Sequence, residues 1–431
     1  MLSIWLMGIV TGFFAALIAS ELRTGTSEAD VELYREMRDF AKRSYVRDLP
    51  DQEIVERALD GFARSLDEYS RFYDAQASAD LDRDTGGRYA GIGALFQSVE
   101  GQRHVLFALP NGPASEAGLR VGDAVLAVDG ESVDGLSEAD FQDLMRSESG
   151  QERSLRLRDR KGLERSVRVM PKVLVDPSVR HFHIIDPEQG LGYLSIHSFS
   201  RETPAEFDAA WEWLKQHGAR ALAIDLRGNL GGVLDAAVAI ARRFVPEGMI
   251  VSTEGRVHTD RLEARAEEAS MLGLPLVLLV DEHSASASEV LAGALQDHRV
   301  AVLVGAPTFG KGMVQTVRRF ARSGTSAKIT SANYFSPSHR NFERSMEGRD
   351  YGIRPDVEVA MDESQKLAAR TYNARYGAPV GVLDELEDWQ AEVDQVFLPE
   401  LPDDPQVRAA LLLLAGVRPT AATVYGGVQG E

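Results

Sequence analysis

The chain has 431 residues, 44% of them hydrophobic and 26% charged, which excludes disordered and fibrous proteins and allows two or three domains with buried cores. Acidic residues outnumber basic ones by 66 to 47, and no block dense in Lys and Arg occurs, so nucleic acid is not an expected partner. Because the chain has no cysteine, its chemistry must come from hydroxyl, amine, imidazole or carboxylate groups.

The first segment predicts a contact with a membrane. Residues 1–20 carry no charged side chain, and as a helix they would span about 30 Å, the thickness of a bilayer's hydrocarbon core. No Lys or Arg precedes the apolar run and no Ala-x-Ala cleavage site follows it, so we expect an uncleaved anchor rather than a signal peptide. A buried core helix is the alternative. Basic residues follow the segment, and by the positive-inside rule they do not favour export.

In the rest of the chain the pattern of apolar residues, and with it the predicted secondary structure, changes three times. Up to residue 85 apolar residues recur every three or four positions, which predicts helices with Ser27 and Asp51 as caps. Short strand-like runs and Gly-rich turns then predict a small β-rich domain. From Gly192 strands alternate with helices, as in a largely parallel sheet covered by helices, and the tail is helical. The predicted divisions are 1–22 (anchor or signal segment), 23–85 (helical), 86–171 (β-rich), 172–362 (α/β) and 363–431 (helical).

Three segments with reactive groups follow predicted strands of the α/β region, at residues 228–232, 284–289 and 306–311. In such sheets the functional groups lie beyond the carboxyl ends of the strands. A serine just before a helix is a sound nucleophile site, because the unpaired N–H groups stabilise negative charge. The alternative is structural, since Ser286 and Glu289 fit a capping box.

Lys311 could supply the base for such a nucleophile. At an apolar rim, between two glycines, its amine can be desolvated and act in its neutral form, so that no histidine is needed. If the following residues are extended, the spacing of four places the amide of Gln315 on the same face. The glycines at 231–232 could bring N–H groups to a bound carbonyl. A solvated loop lysine and a plain tight turn are the corresponding alternatives.

Other catalytic classes fit poorly. Residues 305–311 match a nucleotide-binding P-loop as far as Lys311, but Gly312 replaces the Mg²⁺-binding Ser or Thr and the next residues look extended. No G-x-S-x-G motif supports a Ser-His-Asp hydrolase. The histidines at 181, 183 and 197 show no metal-ligand spacing, so we predict no metal and no cofactor.

Taken together, these segments resemble the carboxyl-terminal processing proteases, the S41 serine peptidases that join a PDZ domain to a Ser–Lys core. In that family the nucleophile lies in S-A-S-A-S-E, the lysine 25 positions later in T-F-G-K-G, and a glutamine four beyond it, and the same spacings separate Ser286, Lys311 and Gln315. The resemblance therefore implies Ser286 as nucleophile among three serines, Lys311 as base and Gln315 as orienting residue. It also implies an oxyanion hole formed by the amide of Ala287 and one amide of the DLRGNLGG turn, for which we choose Gly231.

The β-rich domain carries the second part of the resemblance. Residues 112–130 closely match a PDZ signature, and residues 89–93 resemble the loop whose amides hold a peptide's terminal carboxylate. The chain departs from the family pattern at His339, where glycine is usual, and at an insertion over residues 342–348. The substrate-binding residues that the resemblance implies are Tyr89, Ala90, Gly91, Ile92 and Gly93.

The resemblance thus implies a multidomain α/β protein: a crotonase-like protease core with a parallel-rich sheet, an inserted PDZ domain and helical ends. It further implies an endopeptidase that takes proteins with disordered C-termini. Family practice implies a bacterial envelope location on the periplasmic side of the inner membrane, self-assembly into a homo-oligomer and a lipoprotein adaptor. The alternatives from other classes are a non-catalytic PDZ scaffold and an acyl-CoA enzyme.

Overall fold

The structure is a computed structural model that describes residues 28–85, 88–145, 150–344, 351–397 and 401–420. The predicted anchor and Ser27 lie outside the described residues. Within them, no helix combines the length and the apolar character needed to cross a membrane. The chain forms two compact units, one made of Met1–Ala75 and Val317–Ile329, the other of Gln76–Thr316 and Thr330–Glu431.

The smaller unit contains two helices and a short strand: α1 (Glu28–Ser44), α2 (Asp51–Arg64) and β1 (Arg71–Tyr73). The strand pairs antiparallel with residues 326–328. Asp51 was expected to cap α2, but it is the first helical residue and Pro50 occupies the N-cap. An acidic residue in the first turn still complements the helix dipole there.

In the larger unit, an antiparallel sheet in the order β3-β4-β5-β7-β8 forms the β-rich domain. Its core consists of apolar side chains such as Val128, Phe141 and Leu155. The first strand, β3, lies at an edge of the sheet. The elements of this region are α3 (Ala75–Thr85), β2 (Arg88–Gly91), β3 (Ala94–Val99), β4 (Gln102–Ala108), α4 (Pro113–Glu116), β5 (Ala124–Val128), β6 (Glu131–Ser132), α5 (Glu138–Met145), β7 (Arg153–Arg158), β8 (Glu164–Val169) and β9 (Lys172–Val175), with β9 paired to β2.

A second sheet, in the order β10-β11-β12-β15-β16-β19, forms the α/β core. Its strands from β11 to β19 are parallel, whereas β10 is an antiparallel edge strand. Every residue of β11, β12 and β15 is buried, as expected for a parallel sheet covered on both faces. The strands are β10 (Val179–Asp186), β11 (Leu191–Ile196), β12 (Ala221–Asp225), β15 (Leu276–Val280), β16 (Val302–Gly305) and β19 (Val357–Glu358).

Helices cover the two faces of this sheet unequally. One face packs against α6 (Thr203–Gln216), α7 (Leu234–Phe244) and α8 (Ala287–Asp297). The other face packs against helices of the C-terminal region, α9 (Glu363–Ala374) and α11 (Pro405–Leu414). The tail is therefore part of the core.

The remaining described elements flank these layers. In the larger unit, residues 332–335 of β18 pair with β13. A helix of the C-terminal region, α10, packs against the β-rich domain through Leu386 and Trp389. These elements are β13 (Met249–Gly255), β14 (Thr259–Glu263), β17 (Met313–Phe320), β18 (Thr325–Phe335) and α10 (Leu383–Val393). The mixed α/β architecture with helical ends that the sequence predicts is confirmed.

Candidate active site

The loops that follow β12, β15 and β16 meet at one end of the core sheet. The carbonyl of Asn229, in the first loop, accepts hydrogen bonds from the Ala285 N–H at 3.0 Å and the Ser288 hydroxyl at 2.9 Å. The N–H of Phe309, in the third loop, donates to the Ser284 carbonyl at 3.0 Å. The three segments that the sequence singled out are thus held together by direct hydrogen bonds.

The three candidate serines differ in exposure and bonding. Ser284 and Ser288 are fully buried, and their hydroxyls donate to the carbonyls of Leu226 and Asn229, each at 2.9 Å. Ser286 is half-buried and directly precedes α8. Its backbone has φ 58° and ψ −114°, a conformation that costs a non-glycine residue about 1–3 kcal/mol and that is characteristic of functional sites.

The carboxylate of Glu289 holds the main chains of the serine and lysine loops together. Its Oε2 accepts the N–H groups of Ser286 and Lys311, each at 2.8 Å, and its Oε1 accepts the Gly310 N–H at 2.7 Å and the Thr308 hydroxyl at 2.6 Å. Burial raises the pKa of Glu289, although these hydrogen bonds oppose the rise. Four donors converging on two oxygens are the environment of an ionised carboxylate.

Lys311 and Gln315 lie on the segment that leads into β17. Lys311 is half-buried between Gly310 and Gly312, and β17 is extended over Gln315, as the sequence predicts. The amide nitrogen of Gln315 is buried and finds no hydrogen-bond partner among the described residues. The roles of Lys311 as base and Gln315 as orienting residue stay predictions.

Gly231 lies directly against the serine. A β-carbon on Gly231 would stand 2.8 Å from Ser286 Cβ and 3.0 Å from the nitrogen of Ala287. In this conformation the Gly231 N–H donates to Asn229 Oδ1 at 2.8 Å, so Gly231 can bind an oxyanion only when that amide turns away. The Ala287 N–H, by contrast, has no recorded acceptor in the described part of the chain. Both oxyanion-hole assignments stay predictions.

The predicted insertion packs against the lysine segment. Phe342 is buried, the Glu343 carboxylate accepts the Gly312 N–H at 2.9 Å, and the Arg344 N–H donates to the Gly310 carbonyl at 2.9 Å. Residues 345–348 of this insertion lie outside the described residues. The described part braces both glycines that flank the lysine.

Several residues of this site carry no role in the sequence-based prediction. The sequence predicts Glu289 only as a helix cap and assigns no role to Asn229 or Asp281. Asp281 receives the N–H groups of Gly228, His283 and Ser284 at 3.0–3.1 Å, and burial raises its pKa. An acidic residue at the carboxyl end of a fully apolar strand is the signal that could have found it.

One group of side chains in the described residues is close enough to hold a metal ion. Ligand atoms of Asp281, Glu282 and His283 lie within 4.8 Å of one another. However, Asp281 is engaged by main-chain donors, and the Lys366 ammonium lies 3.3 Å from Glu282. Within this group, Asp281 is therefore already hydrogen-bonded and Glu282 is already paired with a lysine.

In the β-rich domain, the predicted carboxylate-binding loop leads into the edge strand β3. The carbonyl of Ile92 accepts the Ala114 N–H and that of Gly93 accepts the Leu109 N–H, both at 2.8 Å. The N–H groups of Ile92 and Gly93 have no recorded acceptor among the described residues. Ile92 itself is buried in the domain core, Ala90 is exposed, and β2 runs through Tyr89 and Gly91.

Comparison with known proteins gives the class of protein that the sequence motifs predict. The chain matches the model of peptidase family S41 over residues 190–359 and a PDZ domain model over residues 107–159. A carboxyl-terminal-processing protease of a Synechocystis species is 33% identical over 325 residues, which are 74% of each chain. The carboxy-terminal-processing protease of Bartonella bacilliformis is 28% identical over 419 residues, 94% of each chain. A solved photosystem II D1 C-terminal processing protease is 29% identical, with a TM-score of 0.44 over 74% of this chain and 85% of that one.

The chain therefore belongs to peptidase family S41 and is a serine-type peptidase with a PDZ domain. The predicted family and enzyme class are confirmed.

Proposed function

We propose that this chain is an endopeptidase that captures protein C-termini through its PDZ domain and cleaves them with a Ser286–Lys311 dyad. One observation carries the proposal: a single oxygen of the buried Glu289 carboxylate binds the main-chain N–H groups of both residues, at 2.8 Å each. Two further features support the same assignment. The backbone of Ser286 is strained, and its side chain is partly exposed, whereas Ser284 and Ser288 are buried.

The reaction follows from these groups. The neutral amine of Lys311 takes the hydroxyl proton of Ser286, and the serine oxygen attacks the substrate carbonyl. Main-chain N–H groups at Ala287, and at Gly231 once Asn229 releases it, stabilise the oxyanion. When the C–N bond breaks, the leaving amine takes the proton from Lys311, and water then hydrolyses the acyl-enzyme with Lys311 as base.

The PDZ domain would bind the C-terminus of the substrate. The N–H groups of Ile92 and Gly93, which have no acceptor among the described residues, suit a terminal carboxylate, and β3 is an edge strand that a peptide can extend. The names of relatives, such as the carboxy-terminal-processing protease of Bartonella bacilliformis, support the C-termini of proteins as substrates.

Cleavage of fluorescent casein and labelling by a fluorophosphonate test the dyad. We expect both to disappear in Ser286→Ala and in Lys311→Ala, while the fold is retained. Ser364→Ala and Lys215→Ala, at exposed sites, are the controls and should behave as wild type. Cleavage that survives Ser286→Ala would overturn the assignment. A wild type that binds C-terminal peptides but is neither labelled nor active would favour the non-catalytic scaffold.

We also propose that the protein works in a bacterial envelope, on the periplasmic side of the inner membrane, held or exported by residues 1–22.

Self-association would use α1, which buries none of its residues and exposes Leu33, Met37 and Phe40 along one face. A lipoprotein adaptor would deliver substrates. Accessibility of the catalytic core to protease added to spheroplasts tests the location, and light scattering of Met37→Glu tests the assembly.

A further inference from the structure

The loop after β12 carries a buried arginine that is held from two sides. We call residues 225–232 the active-site turn, because it runs from the end of β12 to Gly231 beside Ser286. Arg227 is 3% exposed, and its guanidinium binds Asp225 of the same turn at 2.6 Å. On its other side it binds Asp404 at 2.5 Å, although Asp404 lies 177 residues further along the chain.

The two carboxylate oxygens of Asp404 bind different partners. Its Oδ1 caps α11 by accepting the N–H groups of Gln406 at 2.8 Å and Val407 at 3.2 Å. Its Oδ2 accepts the Arg227 hydrogen bond. Because α11 packs its apolar face onto the core sheet, the carboxylate is held at a fixed place.

The charges of this cluster depend on one another. Burial alone would raise the pKa of Asp225, but the adjacent Arg227 and its hydrogen bonds hold that pKa below its ordinary value. Burial likewise opposes the charge on Arg227, yet Asp225 and Asp404 raise the pKa of the guanidinium well above its ordinary value. A buried guanidinium requires acceptors for its donors, so the position of Arg227 follows that of its two carboxylates and of Gln406 Oε1, which accepts from it at 3.0 Å.

The position of Arg227 fixes the rest of the turn. Its carbonyl accepts the side-chain amide of Asn373, on α9, at 3.3 Å. Two residues further on, Asn229 binds the loop of Ser286 and the N–H of Gly231. Any displacement of Arg227 is therefore passed within four residues to the main chain that lies against the nucleophile.

We infer that Asp404 is a positioning residue of the peptidase, supplied to the active-site turn by the C-terminal region. This inference rests on the proposed function, because it assigns a role to a residue that acts through Arg227 on the Ser286 site. The helical tail then takes part in catalysis without touching the substrate.

The chain offers a matched pair of substitutions to test this. Asp404→Asn keeps a good N-cap and nearly the same volume, but it removes the charge that Arg227 binds. Asp362→Asn makes the same change at the N-cap of α9, where the aspartate is exposed and its side chain accepts the Gln365 N–H. The two variants therefore share any effect of the substitution on helix capping.

The measurements are kcat and KM for fluorescent casein, the rate of fluorophosphonate labelling and the unfolding midpoint. In Asp404→Asn we expect kcat and the labelling rate to fall at least tenfold, with KM within about twofold of wild type. Asp362→Asn should keep both rates. If Asp404→Asn yields little folded protein, Asp404→Ser, which also caps helices well, gives the same comparison per mole of folded protein.

The outcomes separate the two proposals. If wild type is active and Asp404→Asn is equally active, the role of Asp404 is overturned and the proposed function stands. The same holds if the loss of rate in Asp404→Asn only follows its unfolded fraction. A wild type that cannot be distinguished from Ser286→Ala overturns the proposed function and this inference with it.

Discussion

Gly231 shows at the residue scale how little room the site leaves. Its φ of +99° lies in the left-handed region, and a β-carbon there would stand 2.6 Å from the Ala285 carbonyl oxygen and 2.8 Å from Ser286 Cβ. The first feature costs any L-residue on the order of 1–2 kcal/mol. The second would displace Ser286, the proposed nucleophile, so on that proposal it affects the reaction as well as the stability.

Gly231→Ala should therefore reduce fluorophosphonate labelling at least a hundredfold. The control is Gly218→Ala, because Gly218 has a similar φ of +94° but open space around its missing β-carbon. Both variants place an L-residue at a positive φ and are destabilised by it, whereas only Gly231→Ala creates the contact with Ser286. Equal labelling rates for the two variants would show that this close approach has no catalytic consequence.

The residues that the sequence could predict are those in a recognisable motif. Ser286, Lys311 and Gln315 follow from a spacing that resembles that of family S41, and the structure places the loops of Ser286 and Lys311 on one carboxylate. Glu289 and Asn229 could not be selected in the same way. They work by receiving or bridging main-chain groups from distant segments, and those partners exist only after the sheet has formed.

At the scale of elements, β10 carries histidines beneath the C-terminal region. His181 is buried, stacks on Tyr372 with ring centroids 4.2 Å apart and hydrogen-bonds the Tyr372 carbonyl at 2.8 Å. Burial lowers the pKa of His181 to about 4, and that of His183 on the same strand also to about 4. Gly377 lies so close to β10 that a β-carbon would clash with the Arg180 carbonyl.

Acidification should consequently weaken the fold. Below pH 6.5 the unfolded chain binds protons on these histidines, whereas the folded chain does so only near pH 4. Stability is thus present above pH 6.5 and is lost as the pH falls towards 4. Between pH 7 and pH 5, His181 alone contributes a loss of about 2 kcal/mol, and His183, whose pKa is lowered to the same value, adds to that loss.

Urea unfolding at the two pH values measures this loss. In His183→Gln the difference between pH 7 and pH 5 should shrink, whereas the exposed His217→Gln should retain the wild-type difference. A wild type with the same unfolding free energy at both pH values would show that the histidines titrate in the folded state as they do in the unfolded one.

Element prediction succeeded where one physical signal dominated. The mainly apolar runs of β11, β12 and β15, in which every residue is buried, mark parallel strands covered on both faces. By contrast, β10 was missed, because an antiparallel edge strand that contains Arg180 and two histidines carries no such run. What covers β10 is the C-terminal region, and that long-range contact cannot be read from local periodicity.

At the scale of the molecule, the C-terminal region connects several parts of the larger unit. Its helices α9 and α11 complete the second face of the core sheet and contact the active-site turn through Asn373 and Asp404. Between them, α10 packs against the PDZ domain. One continuous segment thus contacts both the PDZ domain and the loop beside Ser286.

The contact of α10 with the PDZ domain centres on Trp389. This side chain is 2% exposed, lies with its ring 5.6 Å from that of His104, and packs so closely on Gly122 that a β-carbon there would stand 2.8 Å from its Nε1. Truncation of such a buried aromatic costs about 3–5 kcal/mol. Because α9 and α11 keep their own contacts with the core, that cost falls on the PDZ interface rather than on the Ser286 loop.

Trp389→Ala should therefore free the PDZ domain while leaving the catalytic loop intact. We expect limited trypsin digestion near Lys172, in the segment that joins the PDZ domain to the core, to accelerate at least tenfold, with fluorophosphonate labelling within twofold of wild type. Leu367→Ala, on the exposed face of α9, controls for a general effect of truncation in the C-terminal region. A fall in labelling that accompanies faster digestion would instead mean that α10 transmits the position of the PDZ domain to the active-site turn. Digestion at the wild-type rate would mean that Trp389 does not hold the domain.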